Sequence, residues 1–167
     1  MAPIGHEVLE GTIRGLKHMI FITVGTERFD ALIEKVDDLA ATGVIAGDVF
    51  AQIGVGRYVP KHIEFARFVR DMHERLLAAD VTVTHAGVGS LLELIDLHRP
   101  FVAVVDPLKI DNHQLEYARA LAERLDYCWI NGPERLAEAL AEVHPALRLG
   151  GLGVEDLARE LTLRLSS

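Results

Sequence analysis

The feature that most constrains this chain is a regular alternation of short β-rich runs with stretches of helical periodicity. The run that starts at Met19 ends at Gly25, and apolar side chains then recur every three or four positions over residues 29–40. The alternation continues to the end of the chain and indicates an α/β fold. The predicted strands cover residues 19–24, 48–53, 64–68, 81–84, 101–105 and 127–130, and the predicted helices cover residues 29–40, 71–78, 90–97, 115–125, 134–143 and 155–165.

The apolar character of whole strands also predicts the kind of sheet. Residues 101–105 form a continuous Phe/Val/Ala run, and such strands are typical of parallel sheets that helices cover on both faces. We expect right-handed crossover connections between them. The sequence therefore predicts one Rossmann-like domain, a parallel sheet with helices on both faces, over residues 19–167, preceded by an N-terminal extension of residues 1–18.

Charge and cysteine content exclude several classes of function. The 167 residues include 17 basic and 25 acidic side chains, and the net charge of −8 disfavours binding to nucleic acid or to an anionic membrane surface. The single cysteine, Cys128, cannot form an internal disulfide, and no zinc-ligand spacing is present in the sequence. The longest apolar run has five residues, whereas a membrane-spanning helix needs about 20. We therefore expect a cytoplasmic protein without a nucleic-acid partner.

Polar and glycine-rich segments follow the predicted strands, at the edge where an open parallel sheet binds its ligands. Gly25 and Thr26 follow the first strand, and Gln52 and Gly54 lie at the end of the second. These residues fit the lining of a cleft, and they fit equally well an ordinary strand-to-helix turn with Thr26 as the N-cap. We expect them to converge on one edge with residues 85–90 and 106–114.

Residues 84–93 carry the strongest functional signal. Gly87 and Gly89 let the backbone turn sharply and approach a ligand, and the free amides and dipole of the helix that follows favour a phosphate. His85 and Ser90 can donate hydrogen bonds to phosphate oxygens, and Glu93 can accept both hydroxyls of a ribose. The alternative is a capping box with Ser90 as N-cap, which would explain Ser90 and Glu93 but not His85 or the two glycines.

A second polar cluster opens the helix after the fifth predicted strand. Asp111 or Asn112 is a suitable N-cap, which would place His113 and Gln114 in the first turn, facing the same edge. The Gln114 amide can hydrogen-bond sugar hydroxyls through both its oxygen and its nitrogen. The alternative is a capped helix with polar first-turn residues, a common arrangement that by itself accounts for the cluster. His73, outside both clusters, is expected to be solvated.

The order of these motifs resembles the donor-binding half of GT-B glycosyltransferases. In plant-type UDP-sugar transferases, a His-x-Gly-x-x-Ser-x-x-Glu box has the spacing of His85, Ser90 and Glu93, and a Gln-containing pair follows it. Those enzymes usually carry Asp where this chain has His113, and the His-Gln pair here is more similar to glycosyltransferase family 28. The tryptophan that opens the plant-type box is not carried over, since the only tryptophan, Trp129, lies far downstream.

The resemblance to family 28 extends over about residues 19–143, including segments 20–26 and 50–60. It implies that His85 and Ser90 are catalytic residues on the diphosphate, that Glu93 binds the ribose, and that Gln114 contacts the sugar. The other residues that it places at the donor site are Gly25, Thr26, Gln52, Gly54, Gly87, Gly89 and His113.

Small members of family 28 are donor-binding catalytic subunits of split enzymes, and the resemblance implies the same function here. Such a subunit would transfer a hexosyl group from a UDP-sugar, with N-acetylglucosamine, glucuronate or a related sugar, to a lipid-linked acceptor. A membrane-anchored partner subunit would bind that acceptor and hold this chain peripheral to the membrane. Because the sequence has no D-x-D motif, we expect neither a metal nor another cofactor. The alternatives are a UDP-sugar-binding regulatory module without turnover, and a UDP-sugar epimerase or hydrolase of related fold.

Overall fold

The described part of the chain covers nearly all of the predicted domain. The structure is a computed structural model, and it describes residues 18–110, 113–149 and 153–165. The predicted N-terminal extension lies outside these residues except for His18. The predicted caps Asp111 and Asn112 also lie outside the described residues.

Strands and helices alternate along the chain, as predicted. The strands are β1 (Met19–Thr23), β2 (Asp48–Gln52), β3 (Glu64–Ala66), β4 (Val81–His85), β5 (Phe101–Val105), β6 (Leu125–Asp126), β7 (Cys128–Asn131) and β8 (Leu147–Arg148). The helices are α1 (Asp30–Ala41), α2 (Met72–Ala78), α3 (Val88–Asp96), α4 (His113–Ala122), α5 (Leu136–Ala141) and α6 (Val154–Leu165), with a 3₁₀ turn at Pro133–Arg135.

The main sheet has six parallel strands in the order β3-β2-β1-β4-β5-β7 across the described ranges. Such an order, with the first strand near the centre, is that of the doubly wound Rossmann-like folds. Side chains alternate between the two faces, so that Ile20 and Ile22 pack on one side and Phe21 on the other. Helices α1 and α5 cover the first face, and α2, α3, α4 and α6 cover the second. The predicted fold class is confirmed.

Helix α1 shows how the sequence determines which face of a helix is covered. Its apolar residues at three- and four-residue spacing, Leu32, Ile33, Val36 and Leu39, are all buried against the sheet. Helices α1 and α6 are the longest, with 12 residues each, and no helix within the described ranges is long and apolar enough to cross a membrane.

Three local predictions need correction. Helix α3 begins at Val88, two residues earlier than predicted, because Gly87 in extended conformation acts as its N-cap. The single helix predicted over 134–143 is divided into the 3₁₀ turn and α5, since Pro133 starts a tighter turn. Finally, β6 and β8 form a short antiparallel pair that the sequence did not predict, because two-residue strands are too short to show a period.

Candidate functional site

The predicted site segments lie side by side at the carboxyl edge of the sheet. Thr23 of β1 is in register with Gln52 of β2 on one side and with Thr84 of β4 on the other. His85, the last residue of β4, is in register with Val104 of β5. The loops that leave these four strands therefore begin at the same level, as we expected from the parallel arrangement.

His85 lies at this edge between glycines of two loops. A methyl group on Gly25 would lie 2.9 Å from Cε1 of His85, and one on Gly87 would lie 2.4 Å from Nε2. Both distances are too short for non-bonded heavy atoms, so the ring fills space that only glycine leaves open. Gly25 also has a φ of +62°, a conformation that favours glycine. Gly25 and Gly87 therefore determine where the imidazole lies.

The surroundings of His85 favour a neutral imidazole. The side chain is 7% exposed, and burial lowers its pKa. The Glu27 carboxylate opposes this shift, whereas the Lys109 ammonium adds to it. Glu27 and Lys109 form an ion pair that joins the loop after β1 to the loop after β5. A neutral imidazole has one N–H, which it can donate to a phosphate oxygen.

The start of α3 has the features of an anion site. Gly87 is its N-cap, and no side chain caps this end among the residues described. The first amides of a helix have no intrahelical carbonyl to bond, and the positive end of the helix dipole lies behind them. A methyl group on Gly89 would meet nothing within 4 Å, so the backbone borders open space here. Ser90 is the third helical residue, and the capping-box alternative, which needed it as N-cap, is wrong.

Glu93 lies almost one turn after Ser90 and is bonded to a residue from another helix. Its Oε1 lies 2.9 Å from Nδ1 of His73 on α2. The two side chains are 38% and 58% exposed, respectively. His73 is therefore solvent-accessible, as expected, but it also contacts the proposed ribose carboxylate. No local pattern could have indicated this contact, because 20 residues separate the two side chains.

Gln52 holds two loops of this edge together. Its side chain is 4% exposed, its Nε2 donates to the carbonyl of Gly25 at 2.9 Å, and its Oε1 accepts from the amide of Val69 at 2.7 Å. The structure thus gives Gln52 a role in positioning Gly25. Thr26, by contrast, is exposed in the β1–α1 turn, and it is not the cap of α1, which has Phe29 at that position.

Two carboxylates of α1 that the sequence analysis did not single out organise the loop after β2. Asp30 accepts hydrogen bonds from the amides of Arg57 and Tyr58, at 2.8 and 3.0 Å. Asp37, 1% exposed, accepts from the amides of Lys61 and His62 at 2.9 and 2.7 Å, and from the Tyr58 hydroxyl at 2.7 Å. Burial alone would raise the pKa of Asp37, but these hydrogen bonds hold it below its ordinary value.

The spacing of these two aspartates in the sequence could have indicated that they lie on one face of the helix. They are seven residues apart in a helix, which places them on one face. The face is next to the apolar one, because Asp37 directly follows the buried Val36. Gly54, in the same loop, has a φ of +58°, and a methyl group on it would lie 2.1 Å from the carbonyl oxygen of Glu27. A glycine is therefore required there for packing.

The β5 side of the edge is built by the loop that precedes α4. His113 and Gln114 lie in the first turn of α4, as predicted. The amide of Asp106 donates to Oε1 of Gln114 at 3.2 Å, and the two hydrogens on Nε2 of Gln114 can be donated to a ligand. His113 is exposed and lies 3.7 Å from Oε2 of Glu116. Only Gln114 of the pair is thus tied to the edge of the sheet.

Two cavities of the described structure lie away from the predicted site residues. Within the described ranges, no group of three or more His, Cys, Asp or Glu side chains is placed to hold a metal ion. Cavities of about 530 and 490 Å³ are lined by none of the predicted site residues. The larger one lies at the opposite edge, where Met19, Asp48 and Glu64 begin their strands.

Known proteins with similar sequences carry glycosyltransferase names. The chain is 34% identical over 127 residues to the human "UDP-N-acetylglucosamine transferase subunit ALG13", a match that covers 65% of this chain and 11% of that protein. It is 37% identical over 95 residues to "UDP-N-acetylglucosamine--N-acetylmuramyl-(pentapeptide) pyrophosphoryl-undecaprenol N-acetylglucosamine transferase" of Desulforamulus reducens, covering 54% of this chain and 26% of that protein. The matched stretch is thus only about a tenth of the human relative's length and about a quarter of the bacterial relative's length.

The fold comparison agrees. The crystal structure of MurG from Acinetobacter baumannii superposes with a TM-score of 0.59 at 20% identity, over 83% of this chain and 44% of that one. At this identity the likeness establishes the fold. The sequence also matches the model of the glycosyltransferase family 28 C-terminal domain over residues 19–152. Together with the Rossmann-like sheet and the motifs at its carboxyl edge, this match shows that the chain belongs to glycosyltransferase family 28, through that family's C-terminal domain.

Proposed function

We propose that this chain is the donor-binding part of a glycosyltransferase that moves a hexosyl group from a UDP-sugar to a lipid-linked acceptor. The observation that carries the proposal is the arrangement at the start of α3. There the uncapped amides, the open space at Gly89 and the neighbouring His85 offer a diphosphate site, and Glu93 offers a ribose site one turn later. The names of the relatives support UDP-N-acetylglucosamine as a donor, with glucuronate or a related sugar as the other candidates.

The chemistry proposed for this edge is stabilisation of the leaving diphosphate. Negative charge grows on the diphosphate as the bond to the sugar breaks. Preorganised donors aimed at that charge lower the barrier most when they need no reorganisation. The first amides of α3, the Ser90 hydroxyl and an N–H of neutral His85 would be those donors. Gln114, tied to the edge through Asp106, would contact the sugar.

We propose that this mechanism needs no metal ion. The helix dipole and the amide donors supply the positive potential that a divalent cation supplies in transferases with a D-x-D motif. Transfer should therefore survive treatment with EDTA. A complete loss of activity with EDTA that Mg²⁺ or Mn²⁺ restores would contradict this part of the proposal.

A partner subunit would complete the active site. A hexosyltransfer needs a group that binds the acceptor and removes its proton, and we propose that a membrane-anchored subunit supplies both and keeps this chain at the membrane surface. Exposed apolar side chains at the carboxyl edge, next to the donor site, are suited to be covered by such a partner. They follow the ends of β2, β3, β4 and β5 and are Val55, Phe68, Val88, Leu108 and Ile110.

Binding of UDP tests the donor site on this chain alone. Glu93→Ala should weaken UDP binding by about 1.5–3 kcal/mol, since it removes a charge-assisted pair of hydrogen bonds to the ribose. Isothermal titration calorimetry with UDP, and with ADP as a control for the base, measures the effect. Glu74→Ala, an exposed carboxylate on α2, is the matched control and should bind as the unaltered chain does. An unchanged UDP affinity in Glu93→Ala would show that the ribose assignment is wrong.

Sugar transfer tests the split-enzyme proposal. The chain is assayed alone and with its membrane partner, using UDP-sugars and a lipid extract as acceptor. Transfer only in the presence of the partner supports the proposal. UDP binding without transfer in any combination would favour the regulatory module, and a chain that does not bind UDP would contradict both functions.

A further inference from the structure

We infer that His73 is a positioning residue for nucleotide recognition, because it holds the Glu93 carboxylate in the orientation that receives the ribose. The inference rests on the proposed function and adds to it a residue outside the predicted motifs. His73 lies on α2 and Glu93 on α3, two helices on the same face of the sheet. Their side chains meet at 2.9 Å between Nδ1 and Oε1.

The contact leaves Glu93 able to bind a ligand. A carboxylate has two oxygens and about four acceptor positions. His73 uses one position on Oε1, and no other hydrogen bond to the Glu93 carboxylate is present within residues 18–110, 113–149 and 153–165. Oε2 and the second position on Oε1 thus remain for the two hydroxyls of a ribose. The histidine orients the carboxylate without competing for all of it.

Helix α2 is well placed to serve as a support. Leu76 is buried in the core on this side of the sheet, and the guanidinium of Arg75 lies 4.1 Å from the centre of the Phe50 ring on β2. Nε of Arg75 also donates to Asp71 at 2.9 Å. His73 therefore projects from a helix that is fixed by packing on β2. A group that is fixed in this way can restrain a flexible partner.

The restraint matters because His73 is the hydrogen-bond partner of the half-buried Glu93 carboxylate. A partly exposed glutamate has three rotatable side-chain bonds, and ordering them on ligand binding costs conformational entropy. A hydrogen bond that orders the side chain before the ligand arrives removes part of that cost, which is the general benefit of preorganisation. Loss of His73 should therefore weaken the hydrogen bonds of Glu93 to the ribose hydroxyls and leave the contacts to the diphosphate unchanged.

A different result is expected if His73 and Glu93 form only a surface ion pair without a role in binding. Exposed pairs often contribute almost nothing to stability, and their removal changes no particular ligand contact. Discrimination between UDP and 2′-deoxy-UDP separates the two cases, because the nucleotides differ only in one of the two ribose hydroxyls that Glu93 is proposed to bind. The experiment therefore measures the affinity of both nucleotides by calorimetry for the full chain and its variants.

The expected results form a series. The unaltered chain prefers UDP to 2′-deoxy-UDP, and Glu93→Ala abolishes the preference. His73→Ala should lower UDP affinity about three- to tenfold, the size of one hydrogen bond, and should reduce the preference by a similar factor. His73→Asn, whose amide nitrogen can take the place of Nδ1, should restore most of both. Glu74→Ala on the same helix should change neither.

The outcomes also separate this inference from the proposed function. If His73→Ala keeps both the UDP affinity and the preference while Glu93→Ala loses them, the inference is overturned and the donor site stands. An equal loss in His73→Asn and His73→Ala would overturn the hydrogen bond as the cause. If the unaltered chain does not bind UDP, or Glu93→Ala keeps the preference, the ribose assignment fails and the inference fails with it. Thermal unfolding confirms that each variant is folded.

Discussion

Two loops at the carboxyl edge of the sheet differ in whether their backbone groups are hydrogen-bonded to the rest of the protein. The loop after β2 is hydrogen-bonded to neighbouring elements, since Asp30 and Asp37 of α1 accept its amides and Arg67 donates to the carbonyls of Gly54 and Gly56 at 3.2 and 2.8 Å. The start of α3 has no side-chain cap in the described structure, and Gly89 there borders open space. The polar backbone groups of the loop after β2 are thus hydrogen-bonded, whereas the first amides of α3 remain available to a ligand.

The difference shows how a Rossmann-like edge combines rigidity with binding. Backbone amides that are buried must find partners, because an unpaired buried donor costs about 1–3 kcal/mol. Carboxylates of α1 accept the amides of the loop after β2, and this loop is therefore held rigid. The first amides of α3 meet solvent instead, and a phosphate can replace that water. The comparison predicts that changes in the first loop alter stability and that changes in the second alter ligand binding.

The largest effect is expected from His85, on the binding side of the comparison. His85→Ala removes a donor to the leaving diphosphate, and loss of one such donor costs about 100-fold or more in kcat. The KM for the UDP-sugar should change less, because charge on the diphosphate is greatest in the transition state. Steady-state kinetics of the enzyme assembled with its partner measures both constants. Equal losses in kcat and in UDP affinity would contradict the proposed role.

On the scaffold side, Asp37→Ala should lower the free energy of unfolding by about 2–3 kcal/mol, because it leaves two amides and a hydroxyl without their acceptor. Urea denaturation measures the change. Asp38→Ala is the matched control, since Asp38 is the next residue and its side chain is exposed. UDP affinity of the folded Asp37→Ala variant should stay within about twofold of the unaltered chain. A stability loss of the same size in both variants would remove the distinction between the loops.

Two glycines of the binding loop, two positions apart, test the comparison. In Gly87→Ala the new methyl group collides with the His85 ring, so stability should fall by about 1–3 kcal/mol. In Gly89→Ala the methyl group meets open space, and alanine in a helix is favoured over glycine by up to about 1 kcal/mol. Gly89→Ala should therefore unfold at a higher temperature and yet bind UDP more weakly, because the methyl group occupies the space proposed for the diphosphate. A Gly89→Ala variant with full UDP affinity would place the diphosphate elsewhere.

The smallest effect is a pH dependence that differs between the two regions. Burial lowers the pKa of His85, so the unfolded chain binds a proton more readily than the folded one below about pH 6.5. The His85 contribution to stability is therefore complete above that pH and is lost as pH falls through the folded-state pKa, with a slope of at most about 1.4 kcal/mol per pH unit. His85→Asn should flatten the free energy of unfolding between pH 7 and 5 in urea titrations.

The carboxylates of the scaffold loop act in a lower pH window. The pKa values of Asp30 and Asp37 lie below the ordinary value of an aspartate. Their contribution is present above about pH 4 and is lost as pH falls through the lowered values. Asp37→Asn should remove part of the stability loss below pH 4 and should leave the change between pH 7 and 5 as it is. An altered stability change between pH 7 and 5 in Asp37→Asn would contradict this separation of the two pH windows.

Much of this architecture could be predicted from local pattern. The order of strands and helices follows from apolar periodicity, and the parallel sheet follows from strands such as Phe101–Val105, which are apolar throughout. The location of the site follows as well, because strand ends with glycines and polar residues converge in any parallel sheet. The helix starts were less predictable. Ser90 looked like an N-cap, yet Gly87 takes that position, where a side chain would collide with the His85 ring.

By itself, therefore, the sequence determined the fold class and the edge of the sheet at which the candidate site residues lie. The tertiary structure alone decided which side chains work in pairs. The contacts of His73 with Glu93, of Asp37 with His62 and of Gln52 with Gly25 join residues 20 to 27 positions apart. Periodicity and capping reflect interactions within one or two turns of chain, and they carry no information about such distances. These contacts form only once packing has brought separate elements together.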